Sequence, residues 1–197
     1  ERFNSKIEDL LNATSGMQED AQNLTRALKG DTKQQGDWGE QILKRALEDA
    51  GLIESLEYEL QPSYKGKDGN QLRPDAVIKL SDGRNIIIDS KVSLTAYERY
   101  VRSDNDEDMK DLLKEHINSI KNHVKQLSEK GYSDIEELDS PDFIFIFVPI
   151  DSALSLALSN DWSVQELANE KKIAFMTPIH LISCLLYTSP SPRDGRE

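Results

Sequence analysis

Apolar residues recur along the chain at two different periods, and the switches between them mark out its elements. Phe3, Ile7, Leu10, Thr14, Met17, Ala21, Leu24 and Leu28 alternate spacings of four and three, the seam of a coiled coil. The segment reads either as one amphipathic helix packed on its own domain or as the last turns of a longer upstream coiled coil. Gly30-Asp31-Thr32 interrupts it. A second helical period starts near Gln35 to Asp37 and runs to Ala50, with Gly51 as its stop signal and Trp38, Ile42, Leu43, Ala46, Leu47 and Ala50 as its buried stripe.

The period then shortens to two. Ser55 to Tyr64, Gln71 to Leu80 and Arg84 to Val92 read as three strands of a meander, separated by the turn words at residues 66–70 and 81–83. Helical spacing returns from Asp106 to Lys130, where Leu113, Ile117, Ile120, Val124 and Leu127 share a stripe and Gly131 ends the element. Asp142 to Pro149 is almost continuously apolar, as expected of a strand buried on both faces inside a sheet. Short helices over Ser152 to Leu158 and Ser163 to Lys172 and a strand over Ile173 to Met176 complete an α/β order.

Composition narrows the class. The 197 residues are 37% hydrophobic and 30% charged with net charge −12, which excludes collagenous, mucin-like and disulfide-stapled chains and fits one domain with an appendage. No run is long and apolar enough to cross a membrane, and the first ten residues carry no signal-peptide pattern, so the expected setting is cytoplasmic. The acidic balance argues against a whole-surface grip on nucleic acid, yet leaves room for a local basic groove or for carboxylates that hold a metal. The single cysteine, Cys184, excludes an internal disulfide framework and a cysteine zinc site. Both ends read as cut. Residues 184–197 read as a non-native tail, because CLLYTSPSPRD resembles the translation of a sequencing-library adapter. The expected organisation is the end of a coiled coil over 1–33, a domain over 34–183 and that tail.

Candidate chemistry gathers in the second and third strands. Asp75 follows Arg73-Pro74, and Asp89 stands fourteen residues later at the end of an isoleucine run, two residues before Lys91. Alternation along a strand puts Asp89 and Lys91 on one face. Charges at the end of an apolar strand must be paired, solvated or bound to a metal. One reading is a plain ion pair of Lys91 with Asp75 or Asp89. The other is a site, to which Glu40, at the edge of its helix's apolar stripe, adds a third carboxylate.

An acid on the first helix, Pro-Asp on the second strand and Asp-x-Lys on the third resemble the PD-(D/E)xK nuclease core. More narrowly, Gln35 to Glu40, Leu72 to Asp75, Ile88 to Leu94 with Ala96, Tyr97 and Tyr100, His116 and His123, Leu127-Ser128, Lys130 to Tyr132, and the 142–149 strand running into Thr177-Pro178 resemble the RmuC family of bacterial DNA recombination proteins. The resemblance covers most of residues 35–183. It implies a restriction-endonuclease-like α/β core with a mixed sheet, and a role in DNA recombination that limits rearrangement at repeats. It also implies Mg²⁺ or Mn²⁺ held by Asp75, Asp89 and Glu40, with Lys91 orienting the attacking water. DNA is then the partner, and a homo-oligomer through the coiled coil a further expectation. The resemblance further implies a membrane anchor as typical of full-length members, while this segment itself is expected to make no membrane contact. The competing class is a non-catalytic DNA-associated coiled-coil scaffold.

Phosphate contacts are expected from Arg73 and from Lys114, Lys121 and Lys125, which with Lys110 fall within about 60° on the long helix; a solvated helix flank explains them equally well. Lys65 and Lys67 sit in what also reads as an ordinary hairpin tip. His116 and His123 are candidates to assist at phosphate, but about 10 Å apart along the helix they are too far apart to share one ion. Trp38 reads as core rather than as a base-stacking platform, and Asp151 equally as a helix N-cap or as a functional group.

Overall fold

The structure, a computed structural model, describes residues 31–135, 137–138 and 143–188, with Asn23 alone ahead of them. The coiled-coil seam and the last nine residues of the tail lie outside the described residues. The first helix, α1 (Thr32–Asp49), starts earlier than its apolar stripe suggests. The carboxylate of Asp31 caps it, accepting from the backbone N–H groups of Lys33 at 3.1 Å and Gln34 at 3.0 Å, which satisfies donors that a helix start leaves unpaired. Leu43, Ala46 and Leu47 are fully buried beneath it.

The meander is broken twice. The first apolar run divides into β1 (Tyr58–Leu60) and β2 (Tyr64–Lys65), and the second into β3 (Gln71–Leu72) and β4 (Ala76–Lys79). Each break has a proline, Pro62 and Pro74, which offers no N–H to a ladder; at the first, Gln61 also takes a left-handed φ of 47°. The outer pieces β2 and β3 pair into a separate two-stranded ribbon. The inner pieces join β5 (Asn85–Asp89), β6 (Ile144–Phe147) and β7 (Ile173–Met176) in one sheet of order β1-β4-β5-β6-β7.

That sheet is mixed, antiparallel from β1 through β5 and parallel from β5 to β7. A parallel step needs a crossover. The one from β5 to β6 carries α2 (Thr95–Arg102), which the apolar pattern did not single out, and α3 (Asp106–Glu129). The one from β6 to β7 carries α4 (Asp151–Asn160) and α5 (Ser163–Glu170), and α6 (Pro178–Thr188) follows and packs against α1. Ile87 and Ile88 of central β5, Ile146 and Phe147 of β6, and Ile120, Val124 and Leu127 of α3 have no exposed surface. At roughly 1.5–3 kcal/mol for each such side chain, this layer pins α3 to the sheet and fixes which residues of α3 face the end of β5.

Two histidines of α3 part ways here. His116 is wholly buried, with Nε2 2.8 Å from the Ala153 carbonyl oxygen and its ring tilted against Tyr97; burial lowers its pKa. It is a core residue. Trp38 is core as well. Ile150 caps α4 and Asp151 is its first residue, so the expected Asp151 cap is displaced by one position. Among the described residues no helix is long and apolar enough to cross a membrane.

Candidate functional site

The polar cluster forms where β4 begins and β5 ends. Antiparallel pairing of Ala76 with Ile88 sets Asp75 beside Asp89, so two carboxylates meet at the sheet end. Both are almost fully buried, a costly arrangement unless each is compensated.

Asp75 is held by the exit of β5. Its Oδ2 accepts from the Ser90 backbone N–H at 2.7 Å and the Ser90 hydroxyl at 3.2 Å, and its Oδ1 lies 3.3 Å from Lys91 Nζ. The same ammonium is 3.5 Å from Oε1 of Glu40, whose other oxygen accepts from the Gln61 side-chain amide. Gln61 is in turn gripped by Arg73, whose Nε donates to the Gln61 carbonyl at 3.2 Å and whose second guanidinium nitrogen donates to Oε1 at 2.8 Å. Burial tends to lower the Lys91 pKa, but Asp75 and Glu40 outweigh it and raise it, so the amine stays charged.

Asp89 turns the other way, toward α3. Its Oδ1 is 3.0 Å from Nε2 of His123 and its Oδ2 accepts from Lys130 Nζ at 2.6 Å. Burial alone would raise the Asp89 pKa. The His123 hydrogen bond and the charge of Lys130 overcome it and hold the carboxyl well below the ordinary carboxylate range. Lys130 also lies over the Tyr132 ring, 5.5 Å from its centre, and the Tyr132 hydroxyl donates to the Arg73 carbonyl at 3.1 Å. Gly131, at φ 71°, supplies the left-handed turn that ends α3 and brings Tyr132 back under the cluster.

Of the residues expected from sequence, Glu40, Asp75 and Lys91 therefore converge on one ammonium, while Asp89 is the centre of a neighbouring group. Arg73 acts on Gln61. Lys114 stands exposed on α3, 3.4 Å from Asp111, and Lys125 is exposed. Lys121 is committed to Asp161 of the α4–α5 turn at 2.7 Å. Gln61 escaped sequence reasoning, whereas Ser90 and Lys130 stood within the words that carry the resemblance but were assigned no role; the signal for Lys130 was its place just before the helix-ending Gly131.

A divalent ion favours hard oxygen ligands, and three carboxylates supply them. Among the described residues, however, no three His, Cys, Asp or Glu side chains converge as a metal centre. Glu40 and Asp75 do face a common point, marked by Lys91 Nζ. Two carboxylates suit Mg²⁺, which keeps waters and takes further oxygens from a substrate phosphate. Asp89, with both oxygens engaged, does not join them in this arrangement. Helix α1 approaches the strand exit at Gly39, where an added Cβ would lie 3.4 Å from the Ser90 carbonyl oxygen and 3.9 Å from Pro149, in ordinary contact.

Fold and cluster define an α/β protein with a mixed sheet whose strand ends carry a compensated acid–lysine site. The chain belongs to the RmuC family, whose model matches residues 1–190. It is 43% identical over 187 residues to the DNA recombination protein RmuC homolog of Pseudomonas aeruginosa, covering 94% of this chain and 41% of that protein. It is 38% identical over 180 residues to the DNA recombination protein RmuC of Escherichia coli K12, covering 91% and 38%, and 36% identical to the Vibrio cholerae homolog, covering 91% and 35%. The chain thus spans about two fifths of the length of these relatives. No solved structure matches it.

Proposed function

We propose that the chain serves DNA recombination, the role printed in its relatives' names, and that its part is hydrolysis of DNA phosphodiesters at a PD-(D/E)xK-like site using Mg²⁺ or Mn²⁺. The observation that supports this is the Lys91 ammonium held between the carboxylates of Glu40 and Asp75 at the strand ends. Those two carboxylates would hold the ion, which when bound polarises the phosphate and acidifies a water.

The remaining work falls to the chain's own groups. Ser90 fixes the Asp75 carboxylate through two hydrogen bonds, and Gln61 fixes that of Glu40. Lys91 is half-exposed, so its ammonium can turn to the scissile phosphate, orient the attacking water and offset the charge that grows on the phosphoryl oxygens. Asp89 stands beside Asp75 as the remaining acid of the motif, and its entry as a ligand requires release from Lys130.

The test is calorimetric titration of Mg²⁺ and Mn²⁺ into the chain, wild type against Asp75→Asn and Lys91→Ala, alongside gel assays on single- and double-stranded DNA. Metal binding lost in Asp75→Asn, with cleavage lost in both variants, is the expected result. A folded wild type that binds no metal and cuts nothing overturns the enzymatic reading. It would favour the second one, a DNA-associated scaffold with oligomers formed through residues 1–33, for which the full compensation of Asp89 by His123 and Lys130 speaks.

A further inference from the structure

Lys91 and Ser93 separate two open grooves. One, of about 430 Å³, runs along α1 past Gly36, Asp37 and Glu40. The other, of about 630 Å³, runs along α3 past Asn118, Asn122, His123 and Gln126. The second groove belongs to no part of the carboxylate cluster except through Lys91 and through His123, which Asp89 holds in place. Its lining is unusual for this chain. Asp and Glu make up 36 of the 197 residues, yet none falls between Glu115 and Glu129. The α3 face along this stretch presents side-chain amides and hydroxyls with Lys91 and His123 at one end and Lys114 at the other.

We infer that a single strand of nucleic acid lies in this α3 groove, its phosphates on Lys91, His123 and Lys114 and its base edges on Asn118, Asn122 and Gln126. The inference rests on DNA being the partner. Three features select a single strand over a duplex. The amides offer donors and acceptors in pairs, which suit the Watson–Crick edges that only an unpaired strand exposes. The cations are too few to draw a duplex by counterion release, which needs many phosphate contacts. The groove, about 630 Å³ between α3 and the Lys91–Ser93 segment, has the size of a small-ligand pocket, which admits a few unpaired nucleotides and not a double helix. Asp111 and Glu115 share this lining with Lys114, whose ammonium lies 3.4 Å from Asp111; that pair is solvent-exposed and worth little, so a phosphate can displace it. Aromatic stacking is not part of this recognition, since His123 is the only ring among the lining residues.

The test uses the full chain in EDTA at low salt, with a short fluorescein-labelled single-stranded oligonucleotide of mixed sequence, and reads fluorescence anisotropy. Asn118→Asp and Asn122→Asp place a carboxylate on the groove floor at exposed helix positions, where folding is spared and a melting curve verifies it. Each should weaken strand binding about tenfold or more, by repelling phosphates and giving up an amide contact. Asn169→Asp, on the exposed face of α5, should leave it unchanged. Binding that is equal in all three variants, a wild type that binds no strand, or a duplex of the same sequence bound more tightly overturns the inference. Cleavage is scored separately with Mg²⁺: strand binding without cleavage removes only the nuclease reading, and cleavage with binding untouched by Asn118→Asp and Asn122→Asp removes only this one.

Discussion

His123 Nε2 lies 3.0 Å from Oδ1 of Asp89, which joins a helix of the crossover to the last residue of the central strand. With Lys130 on the other oxygen, the pair makes Asp89 a structural keystone. Asp89→Asn should therefore destabilise the fold, by about 2 kcal/mol rather than the roughly 3–5 of a fully enclosed pair, because Lys130 is partly exposed and regains water. Urea denaturation of wild type and variant measures it.

Acid should weaken the protein in two separate windows. His116 has a folded pKa below its ordinary 6.5 because it is buried. Its contribution is full above pH 6.5 and is lost as pH falls toward the folded value, since the unfolded chain takes up the proton first. Asp89 is likewise depressed, so its share persists down to the ordinary carboxylate pKa, near about 3.9, and is lost below that. Stability measured from pH 8 to pH 2 should show a shallow fall and then a steep one. In Asp89→Asn the lower fall should flatten while the upper one remains.

Gly39 predicts a size threshold. Alanine there meets the Ser90 carbonyl oxygen at 3.4 Å, an ordinary contact, and gains helix propensity, so Gly39→Ala should be neutral or stabilising by up to about 1 kcal/mol. Gly39→Val adds methyl groups against the same atoms and should cost about 1–3 kcal/mol. Thermal melts of the two variants should move in different directions.

Gln61 carries strain and position at once. At φ 47° it adopts a conformation that glycine accepts freely, so Gln61→Gly should leave stability within about 1 kcal/mol of wild type. The side chain that holds Glu40 is then gone. Under the nuclease reading, cleavage should fall while the melting temperature hardly moves, and both are read on the same preparation.

Lys121 gives a negative expectation. Its ammonium is bound to Asp161, so Lys121→Ala should lower the melting temperature modestly and leave DNA affinity unchanged. Anisotropy that drops as far for this variant as for Lys114→Ala would show that the lysines of α3 act as one ridge.

Much of this was legible in the residues. The stripe of α1, the length of α3 and the apolar strand ending at Pro149 follow from periodicity, and Asp75, Asp89 and Lys91 stand out because charges at the end of isoleucine runs demand partners. What periodicity missed was set by tertiary pairing. Alternation put Asp89 and Lys91 on one face, yet β5 ends at Asp89. Beyond the ladder Lys91 is free to reach back to Glu40 and Asp75, and Asp89 is captured by a helix 34 to 41 residues further along. The divided meander was written in Pro62 and Pro74, which the alternation of neighbouring apolar residues masked. Helix α2 buries Ala96, Tyr97 and Glu98, a face too short to register as a period.

The crossover from β5 to β6 also imposes an order on folding. Until α3 docks, Asp89 is a carboxylate with neither of its cations, and the end of β5 must stay wet, because burying that charge alone is far more costly than leaving it solvated. Closing a loop of about forty residues is slow relative to forming the meander. The meander can therefore form first, but its strand ends dry only when His123 and Lys130 arrive. Misdocking of α3 by one turn would strand the acid without partners and be rejected, so a single carboxylate proofreads the register of a 24-residue helix.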